Sequence, residues 1–218
     1  MTLNLHHVVR RPQSAGSAQA PILLMLHGLG ADENDLIGLA DALDPSLFIV
    51  SVRAPFRYVV GNAWYGLEKV GDVEPKSFAT GLSALGQFVD ALPATYPIDP
   101  SRLYTLGFSQ GAVMATSLLL SRPSLVAGSI LLSGYLPTSA PLKLASAGLV
   151  GQPVFLGHGT ADPLIPVDLA RQARDYLAGA GVDLTYREYP IVHTIGPDEV
   201  NDVATWLGKQ LGSVQSHP

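Results

Sequence analysis

One serine stands between two glycines at a sharp change of pattern. Gly107-Phe108-Ser109-Gln110-Gly111 joins an apolar run, RLYTLGF, to a second apolar stretch, QGAVMATSLLL. A serine hydroxyl becomes a useful nucleophile only beside a base that takes its proton, and the base needs a carboxylate to orient it. The glycine spacing has a steric reason. A tight turn from strand into helix brings the residues two before and two after the serine together, so a side chain at either place collides. This is the G-x-S-x-G nucleophile-elbow pattern, in which the hydroxyl projects above a sheet beside the amide end of the next helix. The plain alternative is a glycine-flanked turn with a helix-capping serine.

The elbow pattern orders its partners serine, then acid, then histidine. Of six histidines, only His158, His193 and His217 follow Ser109. His217 sits in the terminal tail, and His158 precedes the best acid, which reverses the order. His193, in a short loop beyond the run DLTYREY, remains as the base. For the acid, Asp162 lies four residues past the run PVFLGH, just before a Pro-started helix. Asp168 and Asp175 fall on the solvent side of that helix, Asp183 opens a strand at its far end, and Glu188 lies inside that strand. An acyl-transfer site also needs N–H donors for the developing oxyanion. Gln110 offers its backbone N–H as the residue after the serine. His27-Gly28-Leu29-Gly30 follows an early strand, so Leu29 offers the second. A phosphate-binding glycine turn is the alternative there, but the Lys and spacing of a P-loop are missing. A further rival is a metal site on His27, His158 and His193, all at strand ends, although no H-E-x-x-H pattern accompanies them. His6 and His7 read as incidental neighbours on opposite strand faces.

These residues need elements to hold them. Short apolar runs at residues 21–27, 47–53, 102–108, 126–133, 153–158 and 183–189 read as strands. Most lack polar alternation, as expected of parallel strands covered on both faces. Helical spacing falls between them at 33–43, 77–92, 110–121, 167–178 and 197–211, with a weaker antiparallel edge strand at 3–9. Alternating strands and helices imply an α/β sandwich, whose sites form beyond the carboxyl ends of the strands. Ser109, Asp162, His193 and Leu29 all fall there. The loops 11–20 and 53–76 are long; the first, and the tail 212–218, are expected to be flexible.

Composition narrows the classes. The 218 residues are 47% apolar and 14% charged, with 13 Lys+Arg against 18 Asp+Glu for a net charge of −5. No basic stripe suits nucleic acid or an anionic membrane. Residues 103–121 carry no charge, but glycines and hydroxyl residues inside them fit a buried strand and helix better than a membrane span. No cysteine is present, which removes disulfides and thiolate chemistry and fits a reducing compartment. With no signal-peptide pattern at the start, a cytoplasmic location is expected.

Together, LHGLGAD, Arg53-Ala54-Pro55, Ala63-Trp64-Tyr65, LGFSQGA, SGYLP at 133–137, HGTADPLIP at 158–166 and the Y-x-x-x-H ending at His193 resemble the carboxylesterase/phospholipase branch of the α/β-hydrolases. That branch includes acyl-protein thioesterases, and the resemblance runs over residues 21–207. It implies one α/β-hydrolase domain over residues 1–218, with a mostly parallel central sheet and helices on both faces. It also implies Ser109, Asp162 and His193 as triad, Leu29 and Gln110 as oxyanion donors, and Trp64, Tyr135 and Leu164 near an acyl pocket. Three features depart from the family pattern: Gly66 replaces a usual acidic residue, Tyr135 stands where thioesterases often carry Trp, and the 66–76 loop is short.

The expected activity is a serine carboxylesterase acting on uncharged small to medium acyl esters, with no metal or organic cofactor. Acyl-protein thioesterase and lysophospholipase are the enzymatic alternatives, and a non-catalytic ligand- or partner-binding module is the other. The partner is a small ester, with no nucleic acid and no integral membrane association; the low charged fraction permits a homodimer.

Overall fold

The computed structural model describes residues 3–13, 19–67, 69–142 and 147–212. The tail from residue 213, with His217, and the middle of the 11–20 loop lie outside the described residues. A seven-stranded sheet organises the rest. Its strands are β1 (His7–Arg10), β2 (Ala20–Leu26), β3 (Phe48–Val52), β6 (Ile98–Phe108), β7 (Gly128–Leu132), β8 (Pro153–Gly159) and β9 (Asp183–Tyr189), in the order β1-β3-β2-β6-β7-β8-β9. Only β1 is antiparallel, on the edge beside β3; every other pair is parallel. A two-stranded hairpin, β4 (Phe56–Arg57) and β5 (Asn62–Ala63), organises part of the 53–76 loop.

The apolar runs are continuous because both faces are covered. Along β2, Ile22, Leu24 and Leu26 enter one core while Leu23 and Met25 enter the other. The first core packs under α1 (Pro75–Thr95), α2 (Gln110–Ser121) and α3 (Val167–Gly179). The second packs under α4 (Pro197–Leu211) and a 3-10 segment at Ile37–Ala42. These faces make the α/β-hydrolase architecture of a mostly parallel sheet with helices on both sides. Helix α1 starts where the Glu74 carboxylate accepts the N–H groups of Lys76 and Ser77 ahead of Pro75. Helix α2 is buried almost all round, and its Thr116 and Ser117 hydroxyls spend their protons on the carbonyls of Ala112 and Val113. Helix α4 starts at Pro197 and ends on Gly212 at φ 76°.

One expectation needs correction. Residues 33–43 do not form a helix of α type; only Ile37–Ala42 coils, as a 3-10 turn. Asp32 Oδ1 captures the Asn34 N–H at 2.8 Å, and Glu33 turns inward to a bidentate ion pair with Arg53 at 2.6 Å. Both side chains are thereby drawn away from a first helical turn. His6 and His7 also have partners. His7 bridges the Leu5 carbonyl and the Tyr96 hydroxyl, and His6 lies 3.2 Å from Glu33.

Candidate active site

Strand β6 ends at Phe108 and α2 begins at Gln110, leaving Ser109 alone in the turn at φ 54°, ψ −118°. An L-residue rarely adopts that backbone, so the surroundings must impose it. They do so through the two glycines. A Cβ on Gly107 would strike the Gly111 carbonyl, and one on Gly111 would strike the Leu26 carbonyl at the end of β2. The spacing argument therefore applies to Gly107 as stated, whereas Gly111 is required by the neighbouring strand.

His193 stands in the loop between β9 and α4, and Asp162 in the loop between β8 and α3. The structure brings both to Ser109. The Ser109 hydroxyl donates to His193 Nε2 at 2.9 Å, and His193 Nδ1–H donates to Asp162 Oδ2 at 2.6 Å. The other carboxylate oxygen, Oδ1, accepts the N–H groups of Leu164 and Ile165, each at 2.9 Å. Burial pushes the Asp162 carboxyl up, but these N–H groups and the imidazole outweigh it and hold it below its usual range. It stays an anion facing Nδ1. Phe108 packs on the His193 ring with centroids 4.9 Å apart.

None of the other acids and histidines bonds Ser109, although His158 Nε2 lies 3.5 Å from Asp162 Oδ2. Asp168, Asp175 and Asp183 are exposed, and Glu188 is held down to about 2 by Arg171 and then Tyr186. His158 donates from Nε2 to the Ile165 carbonyl at 2.8 Å, bracing the Asp162 loop, and burial lowers its pKa. His27 bonds through both ring nitrogens to backbone. Among the described residues no cluster of three or more His, Asp or Glu is placed to hold a metal ion.

Ser109 opens onto a cavity of about 310 Å³, shared by Leu29, Gln110 and His193. The Gln110 side chain is a clamp as well: Oε1 accepts the Trp64 N–H at 2.7 Å and Nε2 donates to the Tyr65 carbonyl at 2.8 Å. Of the three residues that the family resemblance put near an acyl pocket, Tyr135 and Leu164 line this cavity and Trp64 does not. Trp64 is fully buried, its indole N–H spent on the His27 carbonyl at 3.0 Å, and Tyr65 takes the place in the wall. The Tyr65 and Tyr135 hydroxyls bond each other at 2.9 Å, and burial raises both phenols. Leu67, Val70 and Leu164 form a more exposed apolar rim. Tyr65, Phe108 and Asn62, which pins the Leu29 loop, carried no separate signal; adjacency to recognised motifs is the only trace of them in the sequence.

A strained serine bonded to an imidazole, itself bonded to a buried carboxylate anion, is equipped for nucleophilic attack at a carbonyl carbon. A family model described as phospholipase/carboxylesterase matches residues 7–211. Acyl-protein thioesterase 1 of Saccharomyces cerevisiae is 28% identical over 213 residues, spanning 88% of this chain and 93% of that protein. The putative hydrolase MhqD of Bacillus subtilis is 26% identical over 190 residues, spanning 87% and 94%. The crystal structure of the Bacillus cereus carboxylesterase superposes with a TM-score of 0.85 at 26% identity, covering 95% of each chain.

Proposed function

The chain belongs to the phospholipase/carboxylesterase family, whose members act on esters, and from that premise we propose a serine carboxylesterase for uncharged small to medium acyl esters. Ser109 Oγ attacks the ester carbonyl while His193 Nε2 takes its proton, and Asp162 holds the imidazole tautomer and faces the imidazolium that forms. The N–H groups of Leu29 and Gln110 receive the oxyanion. Collapse breaks the acyl–oxygen bond, and His193 returns the proton to the departing alcohol. Water then attacks the acyl-enzyme through the same base and releases the acid with Ser109 restored. The carrying observation is the unbroken line of hydrogen bonds, at 2.9 and 2.6 Å, from Ser109 through His193 to Asp162 at the mouth of an apolar cavity. The proposal takes the chain as one domain working in the cytoplasm.

The acyl side of the proposal rests on the size of the cavity, about 310 Å³, and on the short 66–76 loop, whose Leu67 and Val70 line it. A nitrophenyl ester series tests it, with Ser109→Ala as the control. The expected result is an optimum at short to medium chains and a fall of about 10⁴-fold or more in kcat for Ser109→Ala. An optimum at palmitoyl length contradicts the chain-length assignment. A near-wild-type Ser109→Ala contradicts the mechanism. The yeast relative's name favours a second reading, acyl-protein thioesterase, and a matched thioester in the same series separates the two by kcat/KM.

A further inference from the structure

The stretch after β2 carries consecutive backbone amides, and its hydrogen bonds decide which way each one points. Gly30 N–H donates to the Asn62 carbonyl at 2.8 Å, and Ala31 N–H donates to the Gly28 carbonyl at 3.3 Å. The same Gly28 carbonyl takes a shorter bond, 2.6 Å, from Nδ1–H of His27. The ring has no choice of tautomer. Its Nε2 accepts the Ala54 N–H at 3.0 Å, so the proton of the neutral ring sits on Nδ1, facing Gly28. Burial lowers the His27 pKa, and the ring is fully enclosed, with the Trp64 indole 5.8 Å away. Protonation would set an Nε2–H against the Ala54 N–H.

The peptide unit turns this grip into aim. A trans peptide is planar and points its C=O and N–H in opposite directions. The Gly28 carbonyl and the Leu29 N–H belong to one such unit, so whatever fixes the first directs the second the other way. Leu29 and Ser109 line the same cavity. We propose that His27 is a positioning residue which, by holding the Gly28 carbonyl from Nδ1–H, aims the Leu29 N–H at the oxyanion. The proposal rests on the acyl-transfer reading above. It replaces the metal-ligand alternative for His27, because both ring nitrogens are spent on backbone.

Variants that differ only in where the side-chain N–H lies provide the test. In His27→Asn the amide nitrogen takes the place of Nδ1 and still reaches the Gly28 carbonyl. In His27→Gln the amide reaches the position of Nε2 instead, and His27→Leu offers no donor. His27→Gln and His27→Leu are expected to lose about 10²-fold in kcat with KM nearly unchanged, since the missing interaction belongs to the transition state. His27→Asn should recover most of that loss. Affinity for a trifluoromethyl ketone, which forms a tetrahedral oxyanion on Ser109, should fall in step with kcat/KM. A His27→Gln enzyme with kcat within threefold of wild type overturns the role. So does a His27→Asn enzyme as impaired as His27→Gln with the loss in KM. Should His27→Leu fail to fold, the Asn and Gln pair decides alone. If wild type forms no adduct with the ketone at Ser109, the acyl-transfer reading itself fails.

Discussion

At the scale of single residues, the proposed site depends on charge held in place. Asp162 is buried yet anionic because two backbone N–H groups and the His193 ring face its oxygens. Asp162→Asn keeps the shape and removes the charge, leaving the ring free to take the tautomer that no longer accepts from Ser109. The expected cost is about 10³- to 10⁴-fold in kcat with KM little changed, measured on a short nitrophenyl ester; a loss below tenfold argues against the assigned acid. This part of the site was legible because each residue follows a strand and the elbow pattern orders them. Trp64 and Tyr65 show where legibility stops. Adjacent aromatics in a loop have no periodicity, so nothing in the sequence says which faces the cavity. The Gln110 side chain, bonded to both backbones from 45 or more residues away, settles it for Tyr65.

At the scale of elements, the sequence is readable where local pattern and tertiary environment agree. Helices α2 and α4 and strand β9 occupy the residues that periodicity assigns, with proline at the start of α4 and glycine at its end. Residues 33–43 fail because Glu33 answers to Arg53, twenty residues on, rather than to its own turn. Glu199, in the first turn of α4, is another group that local pattern does not flag. It is fully enclosed, and a Cβ on Gly157 of β8 would meet its carboxyl. Burial, with some help from Asp202, pushes its pKa up to about 7 from an ordinary 4.5. Between those values the folded chain keeps a proton that the unfolded chain has released, so stability falls as pH rises through this window and levels off above 7. Glu199→Gln copies the protonated form. It should therefore stabilise the protein relative to wild type at pH 8, by on the order of 3 kcal/mol, and have little effect near pH 4. Urea unfolding at the two pH values reads this directly, and an equal effect at both contradicts it.

At the scale of the whole molecule, the sheet carries Ser109, Asp162, His193 and the Leu29 loop to one rim, while the chain's net charge of −5 surrounds them with a mildly negative field. Asp32, Glu33 and Asp35 lie just after the Leu29 loop, with Glu33 neutralised by Arg53. An ester bearing a carboxylate approaches against that field, and salt screens it over about 8–10 Å at ordinary ionic strength. KM for a hemisuccinate ester should thus fall as salt rises from low to physiological, while KM for the neutral ester of similar size stays constant. Parallel behaviour of the two substrates contradicts this. Among the described residues no helix is long and apolar enough to cross a membrane. The apolar rim of Leu67, Val70 and Leu164 belongs to the cavity mouth, where Leu164 is 60% exposed. Composition showed the low charge density that permits such a rim, but only the folded loops reveal where it lies.

The most direct measurement is covalent labelling with a fluorophosphonate, followed by peptide mass spectrometry on wild type and His193→Ala. One adduct per chain is expected, on Ser109, forming at least about 10²-fold more slowly when the imidazole is removed. No adduct, an adduct on another residue, or an unchanged rate in His193→Ala would contradict a serine activated by His193.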